Sequence, residues 1–188
     1  MLLALLPLAA ALTVAACGGD SGSGGGGSQA SGEATAVSTK GLPKPLAENA
    51  SQANQLIDGS TEALEAKLDA LRGYPVVVNQ WGSWCPPCRA EFPFFAKSAE
   101  SHLDEVAFIG VDIEDDRDAA EDFLEEFPVP YPSIFDEQSE AVASLDWAGF
   151  SPTTWFIDER GETVFVRNGA YPDGGTLEAD IHNYLLRG

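Results

Sequence analysis

The stretch that most restricts the fold is residues 75–81, PVVVNQW, followed almost at once by Cys85-Pro86-Pro87-Cys88. A β-branched run of this length suits a central strand buried on both faces. Consecutive prolines after Cys85 suit the first turn of a helix, where amide hydrogens are not needed. The chain is therefore expected to leave a central strand, cross a short loop and enter a helix that opens on a cysteine pair, the helix running to about His102. A Cys-x-x-Cys in that place suits dithiol exchange. The two intervening residues let the sulfurs meet in a small ring, and the helix N-terminus offers partial positive charge and free N–H groups to a thiolate. Cys85 is expected to be exposed and reactive, with Cys88 further into the helix as the resolving thiol. A static disulfide and half of a zinc site are the competing readings. Zinc needs four ligands, and the chain has no second cysteine pair, only His102 and His182 far apart, so no metal is expected.

The rest of the chain alternates. Residues 61–72 place Leu64, Leu68 and Leu71 on one helical face, with Gly73 as a stop. Residues 106–113 read as a second buried strand, and 116–127 as an acidic helix with Ala119, Phe123, Leu124 and Phe127 inward. A short extended segment at 133–136 and a helix at 137–147 follow. Residues 153–157 and 162–167 form a hairpin around Asp158-Glu159-Arg160-Gly161, and an amphipathic helix at 173–187 ends the pattern. Strands alternating with helices, closed by a hairpin and a helix, predict an α/β sandwich with a mixed sheet.

The net charge of −20 falls entirely on residues 48–188, because the two acids and two bases before them cancel. Such a body repels nucleic acid and anionic lipid, and no basic patch offsets it, so nucleic-acid binding is excluded. The acidic run 112–126 reads as a solvated helix face. His102 and His182 read as surface or cap residues.

Residues 1–16 are almost wholly apolar and read as a signal peptide; as a helix they would span only about 24 Å, short of a bilayer core. No Lys or Arg precedes the run. The ending Val14-Ala15-Ala16-Cys17 resembles the lipobox of bacterial lipoproteins, which implies lipidation of Cys17 and takes that third cysteine out of thiol chemistry. Residues 17–47 are rich in Gly, Ser, Ala and Thr and read as a flexible tether, leaving 48–188 as the folded domain at the extracytoplasmic membrane face.

Residues 77–93, VVNQWGSWCPPCRAEFP, resemble the active-site stretch of the TlpA/ResA-like branch of the thioredoxin superfamily. Residues 151–158, SPTTWFID, resemble its Pro-Thr-Thr strand, and the likeness extends over roughly residues 47–187. The resemblance implies a thioredoxin-like three-layer α/β/α sandwich with a mixed central sheet. It implies Cys85 as nucleophile, Cys88 as resolving thiol, and a cis Pro152 beside which the backbone of Ser151 pairs with substrate. Trp84, Pro86 and Pro87 would flank the site. Where thioredoxins carry a buried acid this chain has Asn79, and Glu91 matches the acid of the ResA-like EFP motif, able to exchange a proton with Cys88. Pro93 should kink the helix that carries them. No cofactor is implied beyond the Cys85/Cys88 dithiol.

With two prolines and no His or Lys between the cysteines, the expected potential is closer to ~−270 mV than to the ~−120 mV of a strong oxidant. The implied activity is disulfide reduction in exported proteins, with apocytochrome c among the substrates and a membrane thiol carrier as electron donor. General disulfide reduction, isomerisation or oxidation of exported proteins is the alternative enzyme reading. A metal-delivery or binding lipoprotein is the non-enzyme reading, although copper delivery uses CxxxC and often Met, whereas Met1 is the sole methionine here.

Overall fold

The structure is a computed structural model describing residues 37–187. The signal segment, Cys17 and tether residues 18–36 lie outside these residues. The elements are α1 (Lys44–Ala50), β1 (Leu56–Asp58), α2 (Thr61–Ala70), β2 (Val76–Trp81), α3 (Pro86–Ser101), β3 (Ala107–Ile113), α4 (Arg117–Glu126), β4 (Ser133–Asp136), α5 (Glu140–Ser144), β5 (Thr153–Ile157), β6 (Thr163–Asn168) and α6 (Gly174–Ile181), with a π-helical turn at His182–Leu186.

The strands form one mixed sheet in the order β1-β4-β3-β2-β5-β6. β2, β3, β4 and β1 run parallel, while β5 and β6 are antiparallel to their neighbours. Every residue of β2 and β3 is buried, as their β-branched runs require of central strands. One face of the sheet packs Val77, Trp81, Phe108 and Phe156 against α3, α4 and α6. The other packs Val76, Val78, Ile109 and Trp155 against α2 and α5. This is the thioredoxin-like α/β/α sandwich. On the α3 face Trp81, Phe92 and Phe123 interlock, with centroids 4.7–5.3 Å apart. Each such buried ring contributes roughly 1.5–3 kcal/mol.

Several elements depart from the pattern read in the sequence. α1 begins at Lys44, inside the stretch whose composition reads as tether, because Leu46 is buried in the second core cluster and Asn49 Nδ2 donates to the Phe108 carbonyl at 3.0 Å. The helix expected over 137–147 shrinks to α5. Asp136 caps it by accepting from the amides of Glu140, Ala141 and Val142, and Asp146, at φ 57°, lies outside helical geometry. The last helix changes from α to π winding at His182. Pro93 does lie in mid-helix in α3, as read from the sequence, and its ring nitrogen leaves the Arg89 carbonyl without its helical donor. Asp112, the first acid of the run read as a solvated face, instead lies in β3 and is fully buried.

Candidate active site

At the start of α3 the sulfurs of Cys85 and Cys88 are joined in a disulfide. Cys85 is the N-cap, with extended backbone, and its Sγ accepts the Cys88 N–H at 3.3 Å. Pro86 and Pro87 fill the first helical positions and carry no amide hydrogens, so the Cys88 amide is the first donor the helix can aim at that sulfur. The same donor stabilises a Cys85 thiolate when the disulfide opens. The expectation of an open Cys85 above a buried Cys88 needs correction: their exposures are 2% and 0%. Both belong to the core cluster with Trp81, Phe92 and Tyr171. The solvent-facing rim is made by Trp84, Pro86 and Pro87.

The loop leading to Cys85 is fastened to the loop after β3. Asp115 accepts from the Ser83 hydroxyl at 2.7 Å and from the Ser83 amide, and Trp84 Nε1–H donates to the Ile113 carbonyl at 3.1 Å. Gly82 makes room for this arrangement, as a Cβ there would stand 2.5 Å from Trp84 Nε1. Below lies Asp112, opposite Trp81 in the sheet, with neither carboxyl oxygen hydrogen-bonded among the described residues. Burial, then the charge of Asp115, pushes its carboxyl up to about 9, so it holds a proton at neutral pH.

One helical turn beyond Cys88, Glu91 is 1% exposed. Its Oε1 accepts from Asn79 Nδ2 at 3.1 Å and its Oε2 from the Tyr171 amide at 2.9 Å. Burial raises its carboxyl to about 7, outweighing those two hydrogen bonds and the positive charge of Arg167, which favour the ionised form. Asn79, at the position of the thioredoxin acid, thus serves as a donor to the acid that stands on α3 instead. Behind them, Tyr171 donates its hydroxyl to Asp180 at 3.0 Å, Arg167 pairs with Asp180 at 3.3 Å, and the guanidinium sits 4.4 Å from the centre of the Tyr171 ring.

The Ser151–Pro152 peptide is cis. Gln80 pairs with Thr153 in the β2–β5 ladder, which puts Pro152 beside the end of β2, where the active-site loop begins. The Pro152 carbonyl accepts from the Gly169 amide at 2.8 Å, and Ser151 makes no hydrogen bond among the described residues. The structure thus brings Trp84, Cys85, Pro86, Pro87, Cys88, Glu91, Ser151 and Pro152 to one end of the sheet; Cys17 lies outside the described residues. Among the described residues no group of three or more His, Cys, Asp or Glu side chains is placed to hold a metal ion. Sequence reasoning missed Asp115 and Tyr171, whose contacts to Ser83 and Glu91 span 32 and 80 residues and leave no local signal.

Residues 46–185 match the Redoxin family. Thiol-disulfide oxidoreductase ResA of Bacillus subtilis is 28% identical over 136 residues, covering 72% of this chain and 73% of the relative. Thiol:disulfide interchange protein DsbE of Pseudomonas fluorescens is 41% identical over 92 residues, 48% of this chain and 49% of that protein. Among solved structures, a DsbF homologue from Corynebacterium diphtheriae superposes with TM-score 0.57 at 28% identity, covering 62% of this chain and 75% of that one.

Proposed function

Because the chain belongs to the Redoxin family and is a TlpA/ResA-like protein-disulfide oxidoreductase of the thioredoxin superfamily, we propose that it works as a reductant of exported proteins, with Cys85 attacking and Cys88 resolving. The observation that carries this reading is the Glu91 carboxyl, buried one turn from Cys88 and poised near neutrality.

In the reducing direction the Cys85 thiolate attacks one sulfur of a substrate disulfide. A mixed disulfide forms, and the substrate's other sulfur departs as thiolate and takes up a proton. Glu91 accepts the Cys88 proton, the Cys88 thiolate attacks Cys85 Sγ, and the second substrate thiol is released. Two electrons pass to the substrate, and the protein is left as the Cys85–Cys88 disulfide. A thiol donor at the membrane reverses that last state. The direction follows from thiolate energetics. Strong oxidants owe their potential to a stabilised thiolate, whereas here the linking residues are prolines, Glu91 lies one turn away and the body carries −20.

Residues 1–16 direct export, Cys17 carries the lipid, and apocytochrome c is a substrate whose basic character suits this acidic surface. Cys88→Ser tests the reading, because without a resolving thiol the mixed disulfide on Cys85 persists and can be isolated. Recovery of apocytochrome c is expected. A broad mixture of exported proteins would point to general disulfide reduction, and an absence of any Cys85-linked partner would contradict the assignment.

A further inference from the structure

Strand β6 alternates: Val164 and Val166 face solvent, while Phe165 packs against the core on the α3 side of the sheet. The next position on that inner face is Arg167. A guanidinium standing where the period calls for an apolar side chain needs partners, and it has two. It pairs with Asp180 of α6 at 3.3 Å, both side chains being half-buried, and it lies 4.4 Å from the centre of the Tyr171 ring. Asp180 also accepts from the Tyr171 hydroxyl at 3.0 Å, and Phe95 of α3 meets the same ring edge-on at 5.7 Å. Tyr171 is thus gripped from β6, α6 and α3, and its amide is the donor that holds Glu91 Oε2 at 2.9 Å. The other groups facing Glu91 are Cys88 on α3, the Asn79 amide on β2 and the Tyr131 hydroxyl before β4, which burial keeps protonated. Glu178, also on α6, is turned to Ser98 and His102 further along α3.

We propose that Arg167 and Asp180 are opposed positioning residues that hold Tyr171 against Glu91 and set the pH at which Glu91 takes the Cys88 proton. The proposal rests on the reading of Glu91 as that acceptor and adds the groups that tune it. Neither residue touches a reacting atom. The charge of Arg167 favours the Glu91 carboxylate and the charge of Asp180 opposes it, and both act across a partly buried site where salt screens them weakly. An unopposed Arg167 would draw Glu91 back towards an ordinary carboxylate, too weak a base for a thiol proton. An unopposed Asp180 would keep it protonated at neutral pH and unable to accept one. Paired, the two leave burial to hold the carboxyl in the range where it can both take the proton and give it up.

The test follows closure of Cys88 onto Cys85 in the reduced full chain, mixed with oxidised glutathione concentrated enough that the first attack no longer limits the rate. In the wild type that rate is expected to rise with pH through a midpoint near neutrality, and Glu91→Gln should remove the midpoint. Arg167→Met keeps a stem against the Tyr171 ring but leaves Asp180 uncompensated, and should move the midpoint up by roughly one unit. Asp180→Asn keeps an acceptor for the Tyr171 hydroxyl but leaves Arg167 uncompensated, and should move it down by a similar amount. Arg167→Lys, which retains the charge, should return it towards the wild-type value. Packing alone does not produce shifts of opposite sign. Midpoints that stay put, or that move the same way in both charge-removing variants, overturn the proposal while leaving Glu91 as acceptor; if one variant does not fold, the direction taken by the other decides. A wild-type profile without a midpoint that Glu91→Gln removes overturns the Glu91 reading, and the tuning with it.

Discussion

At the scale of single residues, Glu91 acts against the stability of the fold. Its carboxyl titrates near 7 in the folded chain against an ordinary 4.5, because burial penalises the charged form. The folded state therefore holds a proton that the unfolded state has released, and stability falls as pH rises from about 4.5 through 7. The loss at alkaline pH is roughly 3 kcal/mol from a shift of this size. Glu91→Gln keeps the shape without the charge, so above pH 7 it should unfold at higher denaturant concentration than the wild type. It should also slow resolution of the mixed disulfide by roughly a hundredfold at neutral pH, as loss of a proton acceptor does. Stopped-flow measurement of that step, with equilibrium unfolding at matched pH, separates the two effects. The position of Glu91 was legible in the sequence, as one turn past Cys88. Its burial was not, because its partners Asn79 and the Tyr171 amide lie 12 and 80 residues away along the chain.

At the scale of elements, α3 carries Cys85, Cys88 and Glu91, and its C-terminal end is clamped to α6. His102, the C-cap of α3, lies 2.8 Å from both Glu105 and Glu178, and Glu178 also accepts from the Ser98 hydroxyl. Burial alone lowers the imidazole's affinity for a proton, but the two carboxylates outweigh it and the net shift is upward from 6.5. A raised histidine contributes stability that is complete below its unfolded value and is lost as pH rises through the folded one. The stability advantage of wild type over His102→Gln should accordingly be largest below about pH 6.5 and fade at alkaline pH. A pH series of urea unfolding midpoints checks the sign, and an advantage that grew with pH would refute the clamp. The strands β2 and β3 were legible because β-branched runs bury both faces of a central strand. β1 was not, since three residues, two half-buried and one exposed, carry no period. α5 was overextended because Val142, Leu145 and Trp147 continue an apolar spacing that the left-handed backbone of Asp146 interrupts.

At the scale of the whole molecule, a body carrying −20 is joined to a dithiol whose linking residues add no positive charge. The Cys88 amide and the dipole of α3 favour a thiolate at Cys85, while the buried Glu91 and the acidic loops oppose one, so the reduced form gains little special stability. The fold and the dithiol were legible from local sequence, but the balance of these opposing charges is a property of the assembled chain. It decides whether the protein gives electrons or takes them. Equilibration of the Cys85–Cys88 pair against defined ratios of oxidised and reduced dithiothreitol or glutathione measures this directly. The account predicts a potential near about −270 mV, and a value above about −150 mV would contradict it.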